Sequence, residues 1–203
     1  MRGLFITLEG IDGAGKSTQL TWLREFFENQ GRAVLLTREP GGTVLGEALR
    51  TLLLNPAEAM HAETEALLIF AARREHLARV ILPALADGKV VLCDRFTDAT
   101  YAYQGYGSGV ELNKVGILEQ WVQGSLRPDL TILLDVPVEI GRQRTAGSRE
   151  ADRFERERAE FFERVRQGYL QRARDEPQRV FVADASGQPA EIQKRLEKYL
   201  LSL

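Results

Sequence analysis

Short apolar runs alternate with longer amphipathic segments along the whole chain. The apolar runs cover residues 4–8, 33–37, 90–93, 130–134 and 180–182. Most of these runs are continuous in apolar residues, which is typical of strands buried on both faces of a parallel sheet. The amphipathic segments predict helices over residues 16–30, 43–54, 63–86, 111–124, 137–146, 151–175 and 188–202. This order predicts an α/β fold, with a five-stranded parallel sheet flanked by helices and ligands at the carboxyl ends of the strands.

A glycine-rich loop joins the first predicted strand to the first predicted helix. It fits the phosphate-binding pattern G-x-x-x-x-G-K-[ST] and consists of Gly10, Ile11, Asp12, Gly13, Ala14, Gly15, Lys16 and Ser17, followed by Thr18. The glycines let successive backbone N–H groups point at phosphate oxygens, and the new helix adds its positive dipole end. Lys16 can reach the β- and γ-phosphates, and the Ser17 hydroxyl can bind Mg²⁺. The loop and its flanking elements predict a P-loop NTPase fold that binds ATP, against the alternative of a glycine-rich turn with an incidental lysine.

Other features of the chain narrow the class of P-loop protein. The Asn113-Lys114 pair is followed by Val115 and Gly116, so the guanine-specifying sequence N-K-x-D is missing. This disfavours a GTP-dependent switch. A small kinase, by contrast, needs a second anionic pocket for its acceptor and a lid over the phosphates. Two classes of P-loop protein are kept as alternatives to a nucleotide kinase. One is a kinase whose acceptor is a different small metabolite or nucleotide, and the other is a regulator that hydrolyses ATP slowly.

Composition and charge restrict the partners further. The chain has 203 residues and a formal net charge of −2, so one domain over residues 1–203 is expected, with no basic field for nucleic acid. The single cysteine, Cys93, is consistent with a reducing cytosol. No apolar run approaches the ~20 residues that a membrane span needs. We therefore expect a cytoplasmic protein without nucleic-acid or membrane partners.

Polar residues follow the second and third predicted strands. Residues 37–43 read Thr-Arg-Glu-Pro-Gly-Gly-Thr, and residues 94–96 read Asp-Arg-Phe. Both segments leave carboxyl ends of strands, where an α/β sheet binds its ligands. Asp94 ends its strand in the manner of a Walker-B carboxylate and is the candidate to hold Mg²⁺ through water. Asp135, at the end of the fourth strand, is the weaker alternative.

In order and spacing, the motifs resemble those of one family, the thymidylate kinases of the bacterial type. The matching segments are residues 9–18, 37–43, 70–73, 94–96, 102–105, 127–130 and 152–154. The resemblance covers nearly the whole chain. It implies the P-loop fold of the nucleoside monophosphate kinase type, with phosphorylation of dTMP to dTDP by ATP and Mg²⁺, and a homodimer.

The resemblance also implies which residues bind the acceptor phosphate and sugar. Arg95 and Arg50 look like the clamp on the phosphate, because guanidinium groups bind phosphate oxygens bidentately and stay charged. Arg38 either joins this clamp or braces the loop by pairing with Glu39. Asp12 resembles the carboxylate that accepts a hydrogen bond from the 3′-hydroxyl of the deoxyribose.

A second group of residues is implied to surround the base. Phe70 looks like the aromatic face for thymine, and Arg73 looks like the donor to a base carbonyl. Arg74 is an alternative to Arg73, because both fall on the side of Phe70 in a helix. The residues that resemble the lining of base and sugar are Thr100, Tyr103 and Gln104.

A lid is expected over about residues 142–153. Gly13 occupies a loop position where some family members carry a basic residue, and the resemblance then implies that the catalytic arginine comes from the lid. Arg149 and Arg153 are the two candidates, with Ser148 standing where related lids often place an arginine. With Lys16, Arg95 and Asp94, this arginine would support in-line transfer by positioning and charge neutralisation, without a protein nucleophile.

Overall fold

One parallel sheet forms the centre of the molecule. The structure is a computed structural model and describes residues 2–55, 57, 60–145, 153–154 and 157–201. Within these ranges the sheet contains β1 (Leu4–Glu9), β2 (Val34–Arg38), β3 (Val90–Asp94), β4 (Leu130–Asp135) and β5 (Val180–Asp184). The strand order is β2-β3-β1-β4-β5, and every neighbouring pair is parallel. The loop that follows β1 therefore leaves the middle of the sheet, between the ends of β3 and β4.

Successive residues of the central strands pack into separate cores on the two faces of the sheet. On one face, Ile6 and Leu8 of β1 join a large core. On the other face, Phe5 of β1 joins a smaller core with Val91 and Cys93 of β3. Because both faces are covered, these strands need apolar residues at every position, which explains their continuous apolar runs.

The helices cover both faces of the sheet. In the described residues they are α1 (Lys16–Asn29), α2 (Val44–Leu54), α3 (Ala62–His76), α4 (Leu82–Ala86), α5 (Thr97–Thr100), α6 (Leu112–Gln123), α7 (Val138–Thr145), α8 (Ala159–Asp175) and α9 (Pro189–Leu200). Across the part of the chain that the structure describes, no helix has the length and apolar character to cross a membrane.

Two predicted helices differ from the observed ones. The helix predicted over residues 63–86 contains a π-helical stretch, Leu77–Ile81, between α3 and α4. Pro83 follows this stretch, and a proline in a helix interior removes one backbone donor, which favours such an irregularity. The helix predicted from residue 151 begins only at Ala159. The Arg153 backbone N–H is instead bonded to the Leu54 carbonyl at 3.3 Å, which ties this segment to the end of α2.

One helical segment was not predicted. It comprises α5 and a π-helical continuation, Tyr101–Gly107, and its sequence is rich in threonine, tyrosine and glycine, which are weak helix formers. Packing against α8 stabilises it. A Cβ atom built on Gly107 would lie 2.7 Å from the ring of Phe161, so only glycine permits this close approach. Tertiary contact therefore overrides local propensity here.

A buried ion cluster fastens this segment to the rest of the fold. Asp98 of α5 accepts hydrogen bonds from Arg172 of α8 at 2.9 Å and from Arg179 at 2.8 and 2.9 Å. The Asp98 side chain is 4% exposed, so solvent screens these pairs very little. Arg179 also donates to Thr131 of β4. The cluster thus connects three elements beneath the carboxyl-end loops.

We predict that Asp98→Ala lowers the free energy of unfolding by about 3 kcal/mol, because two largely buried guanidinium groups lose the carboxylate they share and keep only Glu176, which is 31% exposed. Urea denaturation measures this difference. Glu28→Ala is the matched control, since it removes a carboxylate from the exposed Arg24–Glu28 pair, whose side chains are 46% and 49% exposed. Equal losses in the two variants would contradict a stabilising role for the cluster.

Candidate active site

The glycine-rich loop lies between β1 and α1, as predicted. Lys16 is the first residue of α1, and its Nζ atom donates to the carbonyl oxygens of Gly10 and Ile11, both at 3.0 Å. Burial lowers the pKa of Lys16, and the positive charge of Arg95 lowers it further. Both effects disfavour the charged ammonium, and a bound phosphate would offset them. The loop therefore presents a buried cation at the start of a helix.

Close contact with α7 explains one glycine of the loop. Gly13 has φ of 79°, and a Cβ atom built there would lie 2.1 Å from the Gly141 carbonyl oxygen. A Cβ atom on Gly141 would lie 2.7 Å from the Asp12 carbonyl oxygen. The two glycines thus let α7, which leads into the expected lid, rest directly on the phosphate loop.

A cavity opens in front of this loop and is called here the phosphate-loop cavity. Its described lining consists of Asp12, Gly13, Gly15, Lys16, Ser17, Thr18, Arg38, Glu39, Arg50, Asp94, Arg95, Arg144 and Thr145. The Asp94 Oδ1 atom is buried and accepts no hydrogen bond from the described residues. The alternative carboxylate, Asp135, is held by two hydrogen bonds from Arg166, at 2.7 and 2.9 Å. Of the two, Asp94 has the free oxygen beside the phosphate loop.

A second cavity lies beside the first, on the β2–β3 side of the sheet, and is called here the inner cavity. Its lining combines apolar and aromatic side chains with charged and polar ones, and consists of Asp12, Glu39, Pro40, Arg50, Leu53, Leu54, Ile69, Arg73, Arg95, Phe96, Ala99, Thr100, Tyr103, Gln104 and Phe154. Four residues line both cavities: Asp12, Glu39, Arg50 and Arg95. The two cavities therefore meet at a pair of arginines and a pair of carboxylates.

Arg95 is the best-anchored residue at this junction. Its φ is 68°, a left-handed value that a residue with a side chain seldom adopts. Its Nη2 atom donates to Asp12 Oδ1 at 2.8 Å, and its Nη1 atom donates to the Tyr169 hydroxyl at 3.1 Å. The guanidinium also lies 4.7 Å from the centre of the Tyr103 ring. The backbone thus directs the guanidinium over the end of β1, towards the phosphate loop.

The other two arginines of the predicted clamp lie beside Arg95. Arg50 lines both cavities and donates to the Pro40 carbonyl at 2.9 Å; burial and the neighbouring Arg38 lower its pKa. Arg38 lines the phosphate-loop cavity, but it pairs with Glu47 at 2.9 Å. The alternative that Arg38 pairs with Glu39 is wrong, because Glu39 is buried and bonded to α3.

Arg73 lies at the far end of the inner cavity in a buried polar cluster. Its Nε atom donates to Glu39 Oε2 at 2.7 Å, and its Nη2 atom donates to Thr100 Oγ1 at 2.9 Å. The other oxygen of Glu39 lies 3.0 Å from His76 Nδ1. The remaining nitrogen, Arg73 Nη1, is buried and has no acceptor among the described residues. A guanidinium held in this way offers its free N–H groups to a ligand.

The structure separates Arg73 from its neighbour. Arg74 donates to the Val122 carbonyl of α6 at 3.4 Å and does not line the inner cavity. Phe70 is buried in a cluster with Tyr101 and Val115, and the Arg73 guanidinium lies 4.6 Å from its ring centre. Phe70 is likewise not part of the described cavity lining, so the ring predicted as the face for thymine is not exposed in this cavity and packs against Arg73 instead. Of the two arginines, only Arg73 lines the inner cavity.

Arg153 and Gln104 meet at one buried carboxylate. Glu65 of α3 accepts a hydrogen bond from Gln104 Nε2 at 2.6 Å and a second one from Arg153. Arg153 Nε also donates to the Leu53 carbonyl at 2.9 Å, and the next residue, Phe154, lines the inner cavity. Arg153 thus contacts the wall of the inner cavity, away from the phosphate loop. Arg149 and most of the expected lid lie outside the described residues.

Arg144, Glu9 and Tyr169 lie in or next to the site and were not among its predicted residues. Arg144 of α7 donates to the carbonyls of Ala185 and Ser186, at 2.9 and 3.1 Å, and lines the phosphate-loop cavity. Glu9 and Tyr169 form a buried hydrogen bond of 2.9 Å across 160 positions of sequence. The arginine repeat around residue 144 was a weak signal for Arg144, and no local pattern pointed to the pairing of Glu9 with Tyr169.

Glu9 has the most perturbed carboxyl group near the loop. Its pKa is raised from 4.5 to about 8, chiefly by burial and secondly by the negative charge of Asp98, although Arg95 and hydrogen bonds from the Phe96 backbone N–H and the Tyr169 hydroxyl oppose the rise. A buried carboxyl group of this kind is retained at a cost in stability. Perturbed groups of this sort often lie at functional sites.

Comparison with known proteins agrees with this geometry. A family model described as thymidylate kinase matches residues 8–196. The chain belongs to the thymidylate kinase family. It is 58% identical over 203 residues to the thymidylate kinase of Nitrosospira multiformis, covering 100% of this chain and 99% of that protein. It is 63% identical over 191 residues to that of Nitrosomonas europaea, covering 94% and 89% of the two chains.

A solved structure of the family has the same fold. The crystal structure of thymidylate kinase from Ehrlichia chaffeensis superposes with a TM-score of 0.80 at 36% identity, covering 98% of this chain and 99% of that one. These similarities confirm the predicted family, the P-loop α/β fold and the enzyme class, a kinase of the thymidylate kinase family.

We predict that Glu9→Gln flattens the dependence of stability on pH. Between pH 4.5 and 8, folded Glu9 holds a proton that the unfolded chain releases, so its contribution to the free energy of unfolding falls as pH rises, by up to about 1.4 kcal/mol per pH unit. Urea denaturation at pH 5, 6, 7 and 8 measures the slope. The exposed Glu25→Gln should retain the wild-type slope. An unchanged slope in Glu9→Gln would show that Glu9 is ionised throughout this range.

Proposed function

We propose that the enzyme transfers the γ-phosphoryl group of ATP to the phosphate of dTMP, giving ADP and dTDP. One observation carries this proposal: the phosphate-loop cavity and the inner cavity share Arg50 and Arg95. Phosphoryl transfer between two nucleotides needs two anion sites that meet where the transferred group passes. A protein that only binds or slowly hydrolyses ATP would need the first cavity alone.

The phosphate-loop cavity is the proposed ATP site. The backbone of residues 10–15 and Lys16 would hold the phosphates, with Ser17 and Thr18 at the start of α1. Arg144 bridges the loop after β5 and the Gly13 carbonyl, so we place it at the edge of this site. ATP is the co-substrate that the family implies.

The same cavity fits a magnesium ion. Ser17 supplies a hydroxyl and Asp94 supplies the buried, unpartnered Oδ1 atom, and both are oxygen donors of the kind that Mg²⁺ prefers. Ser17 would bind the ion directly and Asp94 through water. When bound, Mg²⁺ neutralises charge on the phosphate oxygens.

The inner cavity is the proposed dTMP site. Arg95 and Arg50, with Arg38 nearby, would bind the acceptor phosphate, and Asp12 would accept from the 3′-hydroxyl. Tyr103, Thr100 and Gln104 line the cavity towards its base end.

Arg73 is the proposed reader of the base. Its unpartnered Nη1 atom can donate to a carbonyl, as thymine presents, and it would oppose the amino group that cytosine carries at the same position. A buried donor left unpaired is costly, so a pyrimidine with a carbonyl at this edge is favoured.

The lid is proposed to supply the transition-state cation. Arg149 and Arg153 stay the two candidates, and an arginine in this role can contribute on the order of 10³–10⁵ in rate. Arg153 would have to leave Glu65 and the Leu53 carbonyl to reach the phosphates. Arg149 lies outside the described residues.

A homodimer is the proposed assembly. Large apolar side chains are exposed on three helices: Val44 and Leu45 on α2, Leu67 on α3, and Ile117 and Trp121 on α6. Val44 and Trp121 are 93% and 81% exposed, which is unusual for residues without a partner surface. A two-fold contact would cover the same patch on both copies. The single domain over residues 1–203 and a cytoplasmic location stay predictions.

The proposed function predicts a clear order of acceptors. ADP formation with dTMP, dUMP, CMP, GMP and shikimate should be fastest with dTMP, and dUMP should be about 10- to 200-fold less efficient in kcat/KM because it lacks one methyl group. Without an acceptor the rate should be very low, since lid closure completes the site.

The control for this panel is Lys16→Ala, which should abolish ADP formation with every acceptor. Preference for GMP or shikimate would contradict the assigned acceptor. ADP formation that is independent of acceptor would favour the ATP-hydrolysing regulator.

A further inference from the structure

Arg95 adopts a backbone conformation that its own side chain disfavours. Arg95 lies between β3 and α5 and has φ of 68°. Its backbone N–H still bonds to the Leu8 carbonyl at 2.9 Å. Side chains with a Cβ atom seldom occupy this left-handed region, and such strain persists only where neighbouring groups enforce it. Contacts around Arg95 must therefore hold its backbone in this left-handed conformation.

The buried carboxyl group of Glu9 contacts two groups next to Arg95, the backbone N–H of Phe96 and the hydroxyl of Tyr169. Glu9 Oε1 accepts a hydrogen bond from the Phe96 backbone N–H at 2.7 Å, which holds the peptide that follows Arg95. Glu9 Oε2 accepts from the Tyr169 hydroxyl at 2.9 Å. The same Tyr169 oxygen accepts from Arg95 Nη1 at 3.1 Å. Glu9 thus acts on Arg95 twice, once through the backbone and once through Tyr169.

Neither Glu9 nor Tyr169 lines the inner cavity or the phosphate-loop cavity. Glu9 is fully buried and Tyr169 is 2% exposed, so neither residue can touch a ligand in these cavities while the fold is intact. Tyr169 belongs to the large apolar core and Glu9 is fully buried, and buried polar groups are costly unless they are paired. Their contacts lead to Arg95, which does line both cavities.

Two anchors and one aromatic ring determine the plane of the guanidinium. Tyr169 takes one N–H of Nη1, Asp12 takes one N–H of Nη2, and the Tyr103 ring lies 4.7 Å from the guanidinium carbon. An arginine has five N–H donors, so three are left for a ligand. A bidentate contact to phosphate needs this plane to be correct, because the two donors form a rigid fork.

We propose that Glu9 and Tyr169 are positioning residues, which hold Arg95 in its left-handed conformation with its guanidinium plane set for the acceptor phosphate where the two cavities meet. This inference rests on the proposed function. It assigns a positioning role to two residues that line neither cavity. Tyr169 comes from α8, so the helix that follows the lid also sets the arginine of the junction.

The test compares two tyrosine variants that lose the same kind of bond. Tyr169→Phe removes the hydroxyl between Glu9 and Arg95. Tyr101→Phe removes a hydroxyl that donates to buried Glu119 Oε2 at 2.7 Å and touches neither cavity. We expect Tyr169→Phe to lower kcat by about 10- to 100-fold, since a small misplacement at a reacting group can have such an effect. The KM of Tyr169→Phe for ATP should change less than about twofold. The control, Tyr101→Phe, should keep the wild-type kcat. The melting temperatures of both variants show whether either one is destabilised.

A double-mutant cycle separates positioning from a general loss of structure. If Tyr169 acts through Arg95, then Tyr169→Phe should lower kcat by less than about threefold in the Arg95→Lys background, because the oriented guanidinium fork is absent there. The same loss in both backgrounds would overturn the inference, as would a kcat of Tyr169→Phe equal to that of Tyr101→Phe. A wild-type enzyme that forms no ADP with dTMP would instead overturn the proposed function, so the two failures are distinguishable.

Discussion

The ion pair between Asp12 and Arg95 joins the two loops from which the site is built. Asp12 follows β1 and Arg95 follows β3, and the two strands are adjacent, with Leu8 paired to Asp94. The Arg95 N–H continues this pairing to the Leu8 carbonyl before the chain turns. The guanidinium then reaches back to Asp12 at 2.8 Å. This contact lies where the phosphate-loop cavity and the inner cavity share their lining.

The charges around the junction are arranged for a polyanion. Burial lowers the pKa of Lys16 and of Arg50, and in each case a neighbouring arginine lowers it further. Such a cluster of cations is unfavourable by itself, and a phosphate group placed among them relieves the repulsion. The carboxylates of Asp12, Glu39 and Glu47 pair with individual arginines and leave further N–H donors of each free. The positive charges around the junction are therefore only partly neutralised, which favours the binding of nucleotide phosphates.

Much of the fold could be predicted because its signals are local. The phosphate loop is one contiguous segment whose backbone makes the site, and the predicted strands end within two residues of the observed ones. Arg73 and Arg74 could not be separated, because one residue of helix rotation decides which faces the cavity and only the packing of α3 sets that rotation. The partner of Arg38 was wrong for a similar reason, since Glu39 is drawn into the interior by Arg73 and His76.

The remaining contacts depend on distant parts of the chain. Tyr169 reaches Glu9 and Arg95 only because α8 packs beneath the segment from α5 to Gly107, which has weak helical propensity of its own. The position of Arg153 is set by its contacts with the Leu53 carbonyl at the end of α2 and with Glu65 of α3. These residues lie 100 and 88 positions away along the chain, respectively. The hydrophobic periodicity of a single segment does not indicate such pairings, because they form only when helices and strands from distant parts of the chain pack together.

The most direct test of the account is a crystal structure with adenosine and thymidine joined through their 5′-positions by a chain of phosphates. The account predicts that the thymine lies in the inner cavity with a carbonyl oxygen in hydrogen-bond distance of Arg73 Nη1. The phosphates should then run past Arg95 to the backbone of the loop before Lys16. Thymine bound outside the inner cavity, or phosphates that leave Arg95 paired with Asp12 and Tyr169 alone, would contradict it.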